Sequence, residues 1–306
     1  MHYCDGSSFG GGRADPIAVS RKGKPGDLWL RGRNNFDALV SYFSTTLDMD
    51  KATDIILSGG SAGGLGVFYN LDHFATLLPS LAPKASLKGF PDAGFFMDAK
   101  DETSGNYSYR GMFQGADPVW NVTGSGGTNA NCLAAYPASE AWKCLLAPFI
   151  LEHIQADIYV MNSAYDAWQI GNNKVGCVST PSKPCDDSGV QAYGTALKAR
   201  VRAGLAAKKT AGGAFIDSCY VHEQNVNYCS NQGMPNCVGW SPLEGGSKKW
   251  GYTTAVSSPT GESLTPQQAF SKYYFSNGKQ DPLTIDPLAL QKNKHCLYLG
   301  HPATSD

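Results

Sequence analysis

Three side chains in this sequence have the residue types of nucleophilic acyl transfer, in the chain order Ser61, Asp166, His222. Ser61 lies in Gly59-Gly60-Ser61-Ala62-Gly63, a match to G-x-S-x-G, the nucleophile elbow. A serine hydroxyl is a weak nucleophile until a base takes its proton. The elbow exposes that hydroxyl on a tight strand-to-helix turn, so its neighbours must tolerate positive φ or lack a side chain that clashes. His222 is expected to take the Ser61 proton and return it to a leaving alcohol. Asp166 is expected to hold the imidazole tautomer and stabilise the imidazolium. The backbone N–H of Ala62, just after the nucleophile, is expected to face the developing oxyanion. A five-residue pattern in a chain with 35 glycines also fits a plain turn, so the surrounding elements decide.

Those elements read as alternating strands and helices. Asp54-Ile55-Ile56-Leu57 is a short apolar strand, and Leu65 to Ala75 has helical apolar spacing. Leu87 to Phe96 reads as a strand entering a loop. Asp157 to Asn162 is a strand ending in Ser163-Ala164-Tyr165-Asp166, and Ala214 to Cys219 is a strand followed by Tyr220-Val221-His222. Helical spacing runs over Asn34 to Leu47, Pro148 to Gln155, Gln191 to Lys209 and Pro266 to Phe275. Residues 1–27 and 225–260 read as loop, with Leu28-Trp29-Leu30 a short apolar run. Residues 100–148 read as a long insertion of the lid or pocket-wall kind. The expected fold is a single α/β domain over residues 1–306, a mostly parallel sheet with helices on both faces. Functional groups in such sheets collect beyond the carboxyl ends of the strands. Three strands end at Ser61, Asp166 and His222, the Ser…Asp…His order of α/β-hydrolases.

Rival groups exist. The other histidines are His2, His73, His153, His295 and His301. His73 and His153 fall within helical segments and read as packed or surface residues, whereas His295 and His301 lie in the tail, from which either could reach the site. Asp92 also follows a strand, but it comes too soon after the nucleophile strand to be the usual acid. It reads as structural or pocket-lining.

Composition narrows the class. A formal net charge of -1 gives no reason to expect nucleic acid or an anionic membrane as partner, and no apolar run is long enough to span a bilayer. The nine cysteines include no C-x-x-C pair or His/Cys knuckle, so neither metal nor other cofactor is expected. Cysteines close in sequence fit small disulfide-closed loops in a secreted protein, and the sequons Asn106-Tyr107-Ser108 and Asn121-Val122-Thr123 agree. The opening Met1-His2-Tyr3-Cys4-Asp5-Gly6 is no signal peptide, and one cysteine lacks a partner. The expectation is therefore that the chain is the C-terminal part of a longer, monomeric protein.

Gly59 to Gly64 with Val67 and Asn70-Leu71-Asp72, Gly89-Phe90-Pro91-Asp92-Ala93-Gly94-Phe95-Phe96, Ala164-Tyr165-Asp166-Ala167-Trp168-Gln169-Ile170 and Ser218-Cys219-Tyr220-Val221-His222 together resemble the pectin acetylesterase/Notum family of carboxylesterases. The likeness runs from Tyr3-Cys4-Asp5-Gly6-Ser7-Ser8-Phe9 to the helix near Phe270. It implies an α/β-hydrolase-like fold, a secreted enzyme, and Ser61, Asp166 and His222 as its triad. The Tyr-Asp-Ala-Trp-Gln stretch is closer to plant members, which deacetylate pectin. The Notum branch removes a palmitoleoyl group from a protein, and acyl length is not legible here. Glu223-Gln224 departs from the Cys-Gln of plant members, which leaves the cysteine pattern near His222 open.

Proximity and the family likeness suggest bridges Cys132–Cys144, Cys177–Cys185, Cys229–Cys237 and Cys219–Cys296, with Cys4 left free. The family's Gly-Gly-Trp loop, which supplies a second oxyanion donor, belongs upstream of the Cys-Asp-Gly motif, and Gly10-Gly11-Gly12 is a weak substitute. Without the upstream strands an exposed sheet edge is expected as well. The rival from another class is a non-catalytic glycan binder gripping through Tyr107, Tyr109, Trp120 and Trp168. Retention of all three triad residue types argues against it.

Overall fold

The computed structural model describes residues 5–101, 104–173, 175, 188–223, 256–258, 260–290, 292–293 and 296. After a hairpin, β1 (Ile17–Arg21) and β2 (Lys24–Leu28), the chain forms α1 (Gly32–Thr46), β3 (Asp54–Gly60), α2 (Ala62–Leu81) and β4 (Ser86–Asp92). The insertion contributes α3 (Ser108–Trp120), α4 (Ala130–Ala135) and a 3-10 segment, Ala138–Leu145. Next come α5 (Ala147–Ile150), β5 (Asp157–Ser163), α6 (Ala167–Asn172), α7 (Ser188–Ala207) and β6 (Gly212–Asp217). The last described elements are β7 (Val256–Ser257), β8 (Ser263–Leu264), α8 (Pro266–Phe275) and β9 (Leu283–Ile285).

Five strands form one parallel sheet in the order β3-β4-β5-β6-β9. Alternation along the strands divides the core. Ile158 and Val160 of β5, with Ala214 and Ile216 of β6, join a cluster with Leu65, Phe68 and Leu71 of α2 and Leu197 and Val201 of α7. Tyr159, Met161 and Phe215 point the other way, against Ala269 and Tyr273 of α8 and Phe90 of β4. A smaller cluster packs Phe36 and Val40 of α1 on Phe74 of α2, with Ile55, Leu57 and Leu87 against them. Helices therefore cover both faces, as the alternating pattern implies.

Register aligns the strand ends. Gly60 lies opposite Asp92, Asp92 opposite Met161, and Ser163 opposite Asp217. The segments leaving these strands, from Ser61, Ala93, Ala164 and Ser218, emerge along one edge. At the flank of the sheet β3 has no outer neighbour among the described residues, and Ile56 is about half exposed there.

The structure corrects two element readings. Residues 17–28 are a hairpin rather than loop: Lys22 and Gly23 both take positive φ at its two-residue turn, and every residue of β2 is exposed, so no apolar alternation announces it. Leu28 closes that hairpin and only Leu30 of the Leu28-Trp29-Leu30 run is buried. Val256–Ser257, within the 225–260 stretch read as loop, is a strand paired with Ser263–Leu264; two-residue strands carry no periodicity. Cys132–Cys144 and Cys219–Cys296 are bonded as the family likeness suggests. Cys4, Cys177, Cys185, Cys229 and Cys237 lie outside the described residues.

α2 sits so close to the loop after β4 that two glycines touch. A Cβ on Gly64 would lie 2.5 Å from the Asp92 carbonyl oxygen and 3.0 Å from Gly94 Cα. Both obstacles are backbone, which cannot swing aside. Gly64→Ala is therefore expected to destabilise the protein by about 1–3 kcal/mol, read as a lowered urea midpoint with an unchanged slope. A midpoint equal to that of the unaltered protein would show that α2 can move away from the loop.

Candidate active site

At the end of β3 the backbone of Ser61 takes φ 51° and ψ -118°, and α2 begins with the next residue. The Ser61 N–H donates to the Asp92 carbonyl (2.9 Å) and its own carbonyl accepts from Leu65 N–H (2.9 Å). A Cβ on Gly59 would fall 2.5 Å from the Gly63 carbonyl oxygen, so the chain can double back this tightly only with glycine there. The strained turn predicted for the elbow is thus present, held by one parallel strand and one helical turn.

Asp166 leaves β5 at the same edge. Ser163 donates its hydroxyl to the Cys219 carbonyl and accepts from Tyr165 N–H at 3.0 Å, while Ala164 N–H donates to the Asp217 carbonyl at 2.9 Å. Asp166 caps α6, its Oδ1 accepting from Gln169 N–H at 2.9 Å, and is fully buried. Gln169 then ties this helix to the loop after β4, donating to the Phe95 carbonyl at 3.2 Å and accepting from Met97 N–H (2.9 Å) and the Tyr193 hydroxyl (2.7 Å). The Cys219–Cys296 bridge anchors the segment after β6 three residues before His222.

The three side chains meet. His222 Nδ1 lies 2.9 Å from both Asp166 carboxylate oxygens, and His222 Nε2 lies 2.7 Å from Ser61 Oγ. In the tautomer with Nδ1–H donating to Asp166, Nε2 is the acceptor for the Ser61 hydroxyl. Burial lowers the affinity of the His222 ring for a proton, but the hydrogen bond and charge of Asp166, with Glu223 and Asp92 behind it, outweigh that and raise its pKa above 6.5. Glu223 is itself held above its ordinary value by burial; the neighbouring His222 opposes this and Asp166 adds to it.

The rival groups fall elsewhere. His73 pairs with Asp37 at 2.6 Å on the outside of α1 and α2, and His153 lies against the Tyr136 ring. His2, His295 and His301 lie outside the described residues. Asp92 is fully buried beneath the elbow and gives its carbonyl to Ser61. The N–H groups of Gly10, Gly11 and Gly12 donate to Ser7 O, Ser7 Oγ and Trp120 O, so none is free to face an oxyanion.

Two cavities flank Ser61 and Ala62. The larger, about 420 Å³, is lined by Phe9, Phe36, the backbone from Ser58 to Gly63, Asn70 and Glu223. The smaller, about 160 Å³, is mainly apolar, with Leu65, Phe96, Met112, Phe113, Trp120 and Trp168 around it. Met112, Phe113 and Trp120 belong to the insertion read as a lid or pocket wall, and only Trp120 of the three is singled out by the sequence; Met112 and Phe113 carry the apolar spacing of α3. Of the four aromatics read as a possible glycan grip, Tyr109 is buried and Tyr107 lies under the Arg110 guanidinium at 3.9 Å. Among the described residues no group of three or more His, Cys, Asp or Glu is placed to hold a metal, and no helix is long and apolar enough to cross a membrane.

A parallel sheet under helices on both faces, with an elbow serine at the end of one strand, is an α/β-hydrolase-like fold. The solved structure of the Wnt deacylase Notum from Drosophila superposes on it with a TM-score of 0.68, covering 97% of this chain and 73% of that one at 18% identity. The pectinacetylesterase family model matches residues 1–297, and the chain belongs to that family. Pectin acetylesterase 5 of Arabidopsis thaliana is 30% identical over 237 residues, which are 74% of this chain and 52% of that protein. The palmitoleoyl-protein carboxylesterase NOTUM of Schmidtea mediterranea is 25% identical over 243 residues, 74% of this chain and 44% of that protein. The chain thus spans about half the length of the curated relatives it matches.

A proton titration of His222 by NMR is expected to have its midpoint above the ordinary 6.5. Asp166→Asn removes the anionic hydrogen-bond partner and should lower that midpoint. An unshifted midpoint in the variant would mean that Asp166 does not control the charge of the ring.

Proposed function

We propose that the protein is a serine carboxylesterase that removes a short acyl group, acetyl foremost, from a glycan such as pectin. The observation carrying this reading is the hydrogen-bonded chain Ser61–His222–Asp166 at the mouth of two cavities. Family membership supports it, since its relatives named above are esterases.

In this mechanism His222 Nε2 takes the Ser61 proton as Oγ attacks the ester carbonyl, and Asp166 holds the imidazolium that forms. The Ala62 N–H, at the start of α2, donates to the oxyanion, with the helix dipole behind it. The imidazolium passes its proton to the departing alkoxide oxygen, leaving Ser61 acylated. A water then gives a proton to His222 while its oxygen attacks the acyl carbon, and the carboxylic acid leaves as Ser61 recovers its proton. Only the neutral ring can take the first proton. With its pKa raised, activity is present above that value and is lost as pH falls through it.

Cavity size favours a short acyl group. The apolar cavity of about 160 Å³, walled by Leu65, Phe96, Met112, Phe113, Trp120 and Trp168, is the smaller of the two beside Ser61 and suits a small acyl group. The wider cavity on the other side of Ser61 has polar edges and suits a sugar-like alcohol. The disulfides, with the sequons at Asn106 and Asn121, support a secreted, glycosylated protein acting outside the cell, at the cell wall.

Two measurements test this. Ser61→Ala should lower kcat on p-nitrophenyl acetate by roughly 10³-fold or more; retention of a tenth of the activity would remove Ser61 from the mechanism. Acetyl ester should be preferred over octanoyl ester by about tenfold or more in kcat/KM. Preference for the octanoyl ester would favour a lipid acyl group and a deeper pocket than the apolar cavity provides.

A further inference from the structure

The catalytic reading leaves one close neighbour of His222 without a role. Trp168 stacks on the imidazole, with ring centroids 5.6 Å apart and planes 26° from parallel. It is the second residue of α6, the helix that Asp166 caps, so one short segment presents both the carboxylate and the indole to the same ring. The indole is fixed in turn: Tyr109 stacks on it at 5.6 Å and 15°, and Phe96 meets it edge-on at 5.6 Å and 71°. Tyr109 is buried, and Phe96 also meets it edge-on at 5.9 Å. Trp168 thus stands against one face of the imidazole, backed by the Tyr109 and Phe96 rings.

We propose that Trp168 is the positioning residue for His222, fixing the plane of the imidazole and favouring its protonated form during acyl transfer. The inference rests on the reading of Ser61 as nucleophile and His222 as base. Two reasons support it. Hydrogen bonds tolerate broad angles, so contacts at Nδ1 and Nε2 still let the ring tilt about the Cβ–Cγ bond; a flat face removes that freedom. The face of an indole is electron-rich and attracts a cation lying over it, which neutral imidazole is not. The indole thus interacts more strongly with the state that follows Ser61 deprotonation, which is where an interaction accelerates a reaction.

The other groups that set the ring's charge are Asp166, Glu223 and Asp92, all acidic. Trp168 adds no charge to that set and differs from it in being a wall of the apolar cavity. An acyl group filling that cavity touches the same indole that carries His222. Acyl groups too bulky for it would press on the indole and tilt the base, so the stack links acyl fit to turnover as well as to binding. A plain apolar wall would alter acyl preference but leave the titration of His222 where it is.

The test compares Trp168→Leu and Trp168→Met, which lack a π face, with Trp168→Phe, which keeps one. Trp168 is 41% exposed, so these changes remove little of the core, and thermal midpoints check that each variant is folded. The NMR midpoint of His222 is expected to fall by about 0.5–1 unit in the Leu and Met variants, and by less than half as much in the Phe variant. The acid limb of kcat/KM on p-nitrophenyl acetate should move by the same amount. The value of kcat should drop roughly tenfold with KM little changed, and Phe should restore most of it. An unmoved His222 midpoint in both variants without a π face, or a Phe variant as impaired as the Leu variant, would overturn the proposal. The titration reads the ring whether or not ester is turned over, so failure of the esterase reading appears as silence in the assay and leaves the titration result standing.

Discussion

The left-handed backbone at Ser61 is the constraint around which the rest is arranged. A non-glycine residue at φ 51° costs on the order of 1–3 kcal/mol and persists only where its surroundings over-determine it. They do so here from two directions. The Ser61 N–H is tied to the Asp92 carbonyl at the end of the neighbouring strand, and its carbonyl starts the ladder of α2. That helix buries Leu65, Val67, Phe68, Tyr69, Leu71 and Phe74, so it cannot unwind to relieve the turn without exposing a large apolar face. The close approaches at Gly59, Gly64 and Gly94 follow from this arrangement. Small residues are needed wherever α2 is drawn down onto the strand ends.

The second constraint is electrostatic. Asp166 is fully buried, and its charge is met by the Gln169 N–H and by His222. Removing one partner of such a pair leaves a charge without an answering group, which costs far more than the pair is worth when intact. The geometry therefore has to keep His222 where it is. Ser163, the Asp217 carbonyl and the Cys219–Cys296 bridge do this by joining the segments after β5 and β6 to each other and to the tail. With acidic groups on several sides, the imidazole is made more basic than in water. It holds a proton more tightly and needs a higher pH to be neutral.

The parts that could be read from sequence alone are those with a strong local signal. The β-branched run Ile55-Ile56, the glycines of the elbow and the spacing of α7 and α8 specify their elements within a few residues. The alignment of Ser61, Asp166 and His222 was legible because strand ends in a parallel sheet must share one edge. What escaped had no such signal. The exposed hairpin at 17–28 buries nothing that would give it a period, and β9 has only three residues. Trp168 was legible as an aromatic near Asp166, but its stacking on His222 depends on the direction in which a six-residue helix leaves its cap. The bonds made by Gly10, Gly11 and Gly12 depend on the fold of Ser7 and Trp120 around them.

These two kinds of legibility divide the proposed reaction along the chain. The reacting groups stand on strand ends, where register fixes them and sequence order reveals them. The walls of the apolar cavity come partly from the insertion, through Met112, Phe113 and Trp120, and partly from α2, through Leu65. How much space lies between them is set by how the insertion packs around the cavity, and packing shifts of a single methylene are enough to change it. In the proposed reaction, acyl length is therefore a property of the insertion and chemistry a property of the sheet. Trp168 belongs to both, because it follows Asp166 on the sheet's edge and faces the cavity beside the insertion. In that proposed reaction, a change in Trp168 that alters the apolar cavity also bears on the His222 ring stacked against it.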